Sequence, residues 1–170
     1  MEIERKKLEA ERKRLDAEKK KLEVAKLPPK PKYTPSVSKP NEIGRDGRFV
    51  AYDNGTVKDT RTGFMWAAKD NGSDINWHDA KRYCENYRGG GYSDWRMPTQ
   101  DELKSLYDPN KKTQHGYHIT RLIGISACCP WASETRGFKA IYFNFPYGYR
   151  GWGTQSGSFP LRALPVRSGN

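Results

Sequence analysis

The stretch Gly91-Tyr92-Ser93-Asp94-Trp95-Arg96-Met97-Pro98-Thr99-Gln100-Asp101-Glu102-Leu103 decides the fold class. Thr99 and Glu102 have the spacing of a capping box, in which each side chain satisfies the other residue's free amide, so a short helix is predicted to start there with Leu103 and Leu106 turned inward. It follows directly on Trp95-Arg96-Met97-Pro98. Upstream, Asn76 is placed to cap a longer helix whose Trp77, Ala80, Tyr83, Cys84 and Tyr87 share one face, and Gly89-Gly90-Gly91 stops it. Two helices are therefore expected among strands.

Further out the pattern is one of short extended runs and turns. Phe49–Tyr52 and Thr56–Asp59 flank Asp53-Asn54-Gly55, and Asn-Gly supplies the positive φ that a tight hairpin turn needs. Gly63–Trp66 reads as a third strand. Trp131–Ser133, Ala140–Phe145 and Leu161–Val166 are further strand candidates, the second alternating as a half-buried strand does. The class read from these elements is α+β.

N-terminal to this region lies a different kind of chain. Residues 4–24 are three copies of one heptad, ERKKLEA, ERKRLDA and EKKKLEV, so Leu8, Leu15 and Leu22 draw one apolar stripe. The second apolar position of a coiled coil is missing: it falls on Arg5, Arg12 and Lys19, or on Glu4, Glu11 and Glu18. Residues 1–26 thus read either as a weak coiled coil that makes a homo-oligomer or as a single charged helix held by Glu to Lys/Arg pairs. Either is a spacer roughly 35 Å long at 1.5 Å per residue. Residues 27–43 hold Pro28, Pro29, Pro31, Pro35 and Pro40 among lysines, a semi-rigid linker. A folded domain is expected over residues 44–170.

The chain has 170 residues with 31 Lys+Arg against 20 Asp+Glu, and the resulting charge of +11 favours polyanionic partners. Nucleic acid fits that sign, but no recognition motif accompanies it. No apolar run reaches transmembrane length and no signal peptide opens the sequence, so an extracellular or periplasmic location would require an upstream signal already removed. Three cysteines, Cys84, Cys128 and Cys129, are too few for a disulfide scaffold. They read as one bridge from Cys84 to Cys128 or Cys129, or as three reduced thiols.

The region from about Arg48 to Arg167 resembles the Lcl C-terminal domain family, which ends bacterial collagen-like adhesins and belongs to the C-type-lectin-like fold. The residues that carry the resemblance are Asp53-Asn54-Gly55-Thr56-Val57-Lys58-Asp59-Thr60-Arg61-Thr62-Gly63-Phe64-Met65-Trp66, then Trp77, Ala80, Tyr83 and Cys84, then Gly91 to Thr99 with Glu102 and Leu103. Trp131-Ala132-Ser133, Ala140 to Asn144 and Arg162 to Arg167 match more weakly. The resemblance implies two helices on a small, mostly antiparallel twisted sheet, with loops presented to a ligand. In the adhesins the ligand class includes sulfated glycosaminoglycans. The family's closing strand often has a cysteine where this chain has Ala163, which leaves Cys128 or Cys129 as partners for Cys84.

Function must still be argued from residues. The sugar-binding Glu-Pro-Asn or Gln-Pro-Asp loop and Trp-Asn-Asp strand of calcium-dependent lectins are missing, and Asp70, Asn71, Asp74 and Asn76 read as a loop leading into a helix cap. His115 and His118 with Cys128 and Cys129 lack the cysteine spacing of structural zinc, so no metal site and no cofactor is expected. The formylglycine-generating enzymes share the lectin-like fold, and Arg96-Met97-Pro98-Thr99 is similar to theirs, but their paired C-terminal cysteines have no counterpart after Cys129. No triad, phosphate loop or HExxH occurs, so the chain reads as non-catalytic. The best binding segment is the glycine-flanked loop Pro146–Gly153 with Tyr147, Tyr149, Arg150 and Trp152, joined by Arg136 and Lys139. Rings stack on sugar faces and Arg forks match sulfate, phosphate or carboxylate, which points to an anionic glycan or to a protein partner. The alternative for Tyr147 and Trp152 is that they pack over the sheet. A second function reading makes the chain an accessory subunit, its helix and head assembling a larger surface complex.

Overall fold

The computed structural model describes residues 39–157 and 159–169 together with Glu9 and Glu11. Apart from Glu9 and Glu11, the expected helix over 1–26 and nearly all of the linker lie outside the described residues. Ser38–Asn170 forms a compact unit of its own.

Its first half is a meander. Strands β1 (Glu42–Asp46), β2 (Phe49–Tyr52), β3 (Thr56–Asp59) and β4 (Phe64–Ala67) pair in order, each antiparallel to the last. The β2–β3 turn forms where Asn54-Gly55 predicts it, with Gly55 at φ +78° and its amide donating to the Tyr52 carbonyl. Helix α1 (Trp77–Asn86) follows, and the Asn76 side chain accepts from the Asp79 amide as the cap expectation requires. The glycine run becomes a short 3-10 turn, Gly89–Gly91. Helix α2 (Gln100–Leu106) opens on the complete Thr99–Glu102 capping box.

The second half adds β5 (Cys129–Arg136), β6 (Lys139–Asn144), β7 (Tyr149–Thr154), β8 (Leu161–Arg162) and β9 (Val166–Ser168). Instead of one small sheet there are two, ordered β1-β2-β3-β4-β9 and β7-β6-β5-β8. The run Leu161–Val166, expected as one strand, is divided between them. β8 pairs in parallel with β5, and β9 pairs antiparallel with β4. The physical reason lies in Pro165, which has no amide to give to a ladder, so the chain leaves one sheet before it and enters the other after it.

The main core lies where Val57, Trp66 and Val166 of the first sheet meet Ile141 and Phe143 of β6 and Leu103 and Leu106 of α2. Trp66, Leu103, Phe143 and Phe145 are fully buried, each contributing on the order of 1.5–3 kcal/mol of burial free energy. The opposite face of β5–β6, with Trp131 and Ala140, receives Ala80 and Cys84 of α1. Trp77 and Trp131 lock that contact, donating their indole N–H groups to Ala132 and Ile75 carbonyls at 2.8 Å. β5 and β6 are thus covered on both faces and owe their position to both helices.

The cysteines correct an expectation. Cys128 and Cys129 are bonded to each other and Cys84 is a free thiol, so neither bridge from Cys84 is made. Cys84 sits on the core face of α1, and burial pushes its thiol up to about 12. The neighbouring pair closes on itself without drawing on it.

Candidate functional site

The segment expected to be a binding loop is largely a strand. Asn144 ends β6, and its side chain accepts from the Tyr147 amide at 3.2 Å while its carbonyl accepts from the Gly148 amide at 2.8 Å. Gly148, at φ +70°, completes this turn against the Tyr107 ring, which a Cβ would meet at 2.5 Å. The chain then returns as β7, which pairs with β6 over six consecutive positions from Asn144↔Tyr149 to Lys139↔Thr154. The expected loop is therefore corrected to a turn, Phe145–Gly148, plus the edge strand of the second sheet.

Register settles which side chains meet, because directly opposed residues of an antiparallel pair project from the same face. Trp152 opposes Ile141 and Arg150 opposes Phe143. Lys139 opposes Arg136 across the β5–β6 turn and Thr154 across the β6–β7 ladder. Arg136, Lys139, Trp152 and Arg150 consequently share one face, with the indole between the cations. Lys139 lies level with Thr154, four residues from Arg150, so the two cations stand about 13 Å apart along the strand at ~3.3 Å per residue. They form a row and not a cluster. Among the described residues Arg136, Lys139 and Arg150 make no ion pair.

Tyr147 and Tyr149 project elsewhere. Their rings stack at 6.1 Å with planes 13° apart, and Tyr149 takes a hydrogen bond from the Asn144 amide group at 3.3 Å. They stand at the turn end of the ribbon, 73% and 51% exposed, while Trp152 is 44% exposed. Tyr147 is thus open to solvent, whereas Trp152 is a little more than half covered beside Ile141. Sequence reasoning missed Phe138, 72% exposed at the opposite end of β6, with the Lys139 ammonium 6.0 Å from its ring. The signal was present: Gly137-Phe138 is a two-residue hairpin turn with glycine at the position that needs positive φ, here +59°.

The oxygen-rich segment before α1 is occupied from within. Arg162 donates to Asp74 at 2.7 Å and to the Ser126 hydroxyl at 2.7 Å, and lies 3.8 Å from Asp70. Asp70 also takes the Gly72 and Ser126 amides, and Asn71 accepts from the Ala163 amide at 2.8 Å. These oxygens hold the guanidinium and the backbone, and Asn76 caps α1 as read. His118 is engaged through Nδ1 with the Lys111 carbonyl at 2.7 Å, and the His115 ring contacts Gln114 at 3.2 Å.

Residues 55–167 match the family described as the Lcl C-terminal domain, over well more than half of the chain. The chain belongs to that family. Membership in the Lcl C-terminal domain family makes it a bacterial module of the surface-associated kind. A comparison with curated proteins gives no match. Among the described residues no helix is long and apolar enough to cross a membrane.

Proposed function

We propose that this Lcl C-terminal domain is a non-catalytic binding module of C-type-lectin-like fold, working outside the cytoplasm, which holds an anionic glycan along the β6–β7 ribbon without calcium. The observation that carries this reading is the row Arg136, Lys139, Trp152, Arg150 on one face of the sheet's edge, cations without an ion pair among the described residues on either side of a half-exposed indole. An extended polymer with sulfate or carboxylate groups matches a row, since its charges repeat along a line. Its sugar faces stack on Trp152, and the stacked Tyr147–Tyr149 pair extends the aromatic surface beyond Arg150.

A second reading, protein assembly by the head together with the N-terminal heptad repeats, is favoured by the open edge of β7. Among the described residues, the backbone groups of Tyr149 to Gly153 bond only within the ladder with β6. Such an edge is what a partner strand adds to.

Binding of the full chain to sulfated, sialylated and neutral glycans, with double-stranded DNA as control and at two salt concentrations, tests the first reading. Saturable binding to one sulfated class over DNA, steeply weakened by salt, is the expected result. Binding to none of these glycans would transfer the site to the assembly reading.

A further inference from the structure

The loop between α2 and β5 frames a cavity of about 610 Å3 that shares no residue with the β6–β7 ribbon. Lys112, Gln114 and His115 line it from one segment and Arg121 from another, while Ile123 and Ile125 are core residues that leave little apolar surface to it. Both segments are pinned by backbone bonds. The Thr113 amide donates to the Tyr117 carbonyl at 2.9 Å and the Gly116 amide to Thr113 at 3.0 Å. On the other side Gly124 is tied to the loop after β4, donating to Ala68 at 2.8 Å and accepting from the Asp70 amide at 3.1 Å. The cavity is therefore preformed, and its volume falls in the ordinary range for small-molecule sites, about 300–1,000 Å3.

Its charge is one-sided. No carboxylate lines it, and Lys112 and Arg121 form no ion pair among the described residues. Three acids outside the lining have hydrogen-bond partners of their own. Asp46 takes the Lys111 ammonium and the Thr120 hydroxyl, Asp108 takes the Asn110 amide, and Asp70 takes Gly72 and Ser126. Asp46 lies outside the lining and offsets Arg121 only through space, so the ammonium and guanidinium of this concave site attract an anion of matching size, and Arg adds a planar two-pronged donor.

We propose that this cavity binds a compact anion, with carboxylate or phosphate groups directed to Lys112 and Arg121. The site stands independently of the ribbon and of its ligand. Titration of the isotope-labelled full chain with citrate and with inorganic phosphate, followed by amide chemical shifts and with glucose as the neutral control, is the test. Saturable shifts centred on Thr113 and Gly124 are expected with at least one anion and with no effect of glucose, and which anion saturates identifies the group recognised. The Lys112→Gln/Arg121→Gln variant is expected to bind at least about tenfold more weakly, because it loses two charge-assisted contacts. Arg136→Gln/Arg150→Gln is expected to bind within twofold of the parent. Unchanged amide positions outside the loop certify that the variants are folded. Failure of both anions to saturate, or equal weakening in the two double variants, would overturn the proposal in favour of diffuse surface charge.

Discussion

Gly153 of β7 lies beside Trp131 of β5, where a Cβ would stand 2.9 Å from Cη2 and 3.4 Å from Cζ3 of the indole. Trp131 is fully buried and held at Nε1 by the Ile75 carbonyl, so the ring has little room to retreat. Gly153→Ala is therefore expected to destabilise the domain by about 1–3 kcal/mol through overpacking, although alanine in a strand would otherwise be favoured. Urea denaturation followed by tryptophan fluorescence measures it, and an unchanged midpoint would show that β7 does not press on Trp131.

Trp152 behaves oppositely because it is 44% exposed on the outer strand. Trp152→Ala is expected to leave the denaturation midpoint within about 0.5 kcal/mol of the parent while weakening sulfated-glycan binding. Charge reversal of Arg136, Lys139 and Arg150 is expected to abolish that binding and its salt dependence. Unchanged affinity in both variants would remove the ribbon from consideration as the glycan site.

The thiols give a count. In the absence of reductant the folded chain is expected to show no thiol reactive toward a disulfide reagent at neutral pH, because Cys84 is buried with its thiol raised to about 12. Denaturant alone should release one thiol, and denaturant with prior reduction three, as the Cys128–Cys129 bond requires. Three thiols without reduction would contradict that bond.

Glu102 couples stability to acid. Burial alone would raise its carboxyl, but the bidentate Arg96 guanidinium at 2.5 and 2.8 Å and the Thr99 amide reverse this and hold it below its ordinary 4.5. The folded state thus binds its proton less readily than the unfolded chain. The resulting stability is fully present above 4.5 and is lost as pH falls through the lower folded value. Glu102→Gln keeps the capping-box geometry but removes the charge, so its stability is expected to fall less steeply than the parent's below that pH. Parallel pH–stability curves for the two proteins would refute the assignment.

What could be read in the sequence was local. Asn76 and Thr99–Glu102 cap their helices within three residues, and Asn54-Gly55 makes its turn within four, so each signal sits beside its effect. β7 was hidden because Gly151 and Gly153 look like loop residues, whereas they are small to make room for the Tyr142 and Trp131 rings, an explanation that exists only once three strands are assembled. The row of cations was equally hidden, since its members are brought to one face by register and not by spacing. Arg162 finds Asp74 across 88 residues, which no local pattern could announce.

That arginine has a wider meaning. In a domain whose loop before α1 carries Asp70 and Asp74, the neutralising cation is part of the polypeptide, so it neither dissociates nor yields to a chelator. Arg162 is 8% exposed and makes the loop's order a property of the gene and not of the medium. The order of this loop is therefore expected to be insensitive to added chelator.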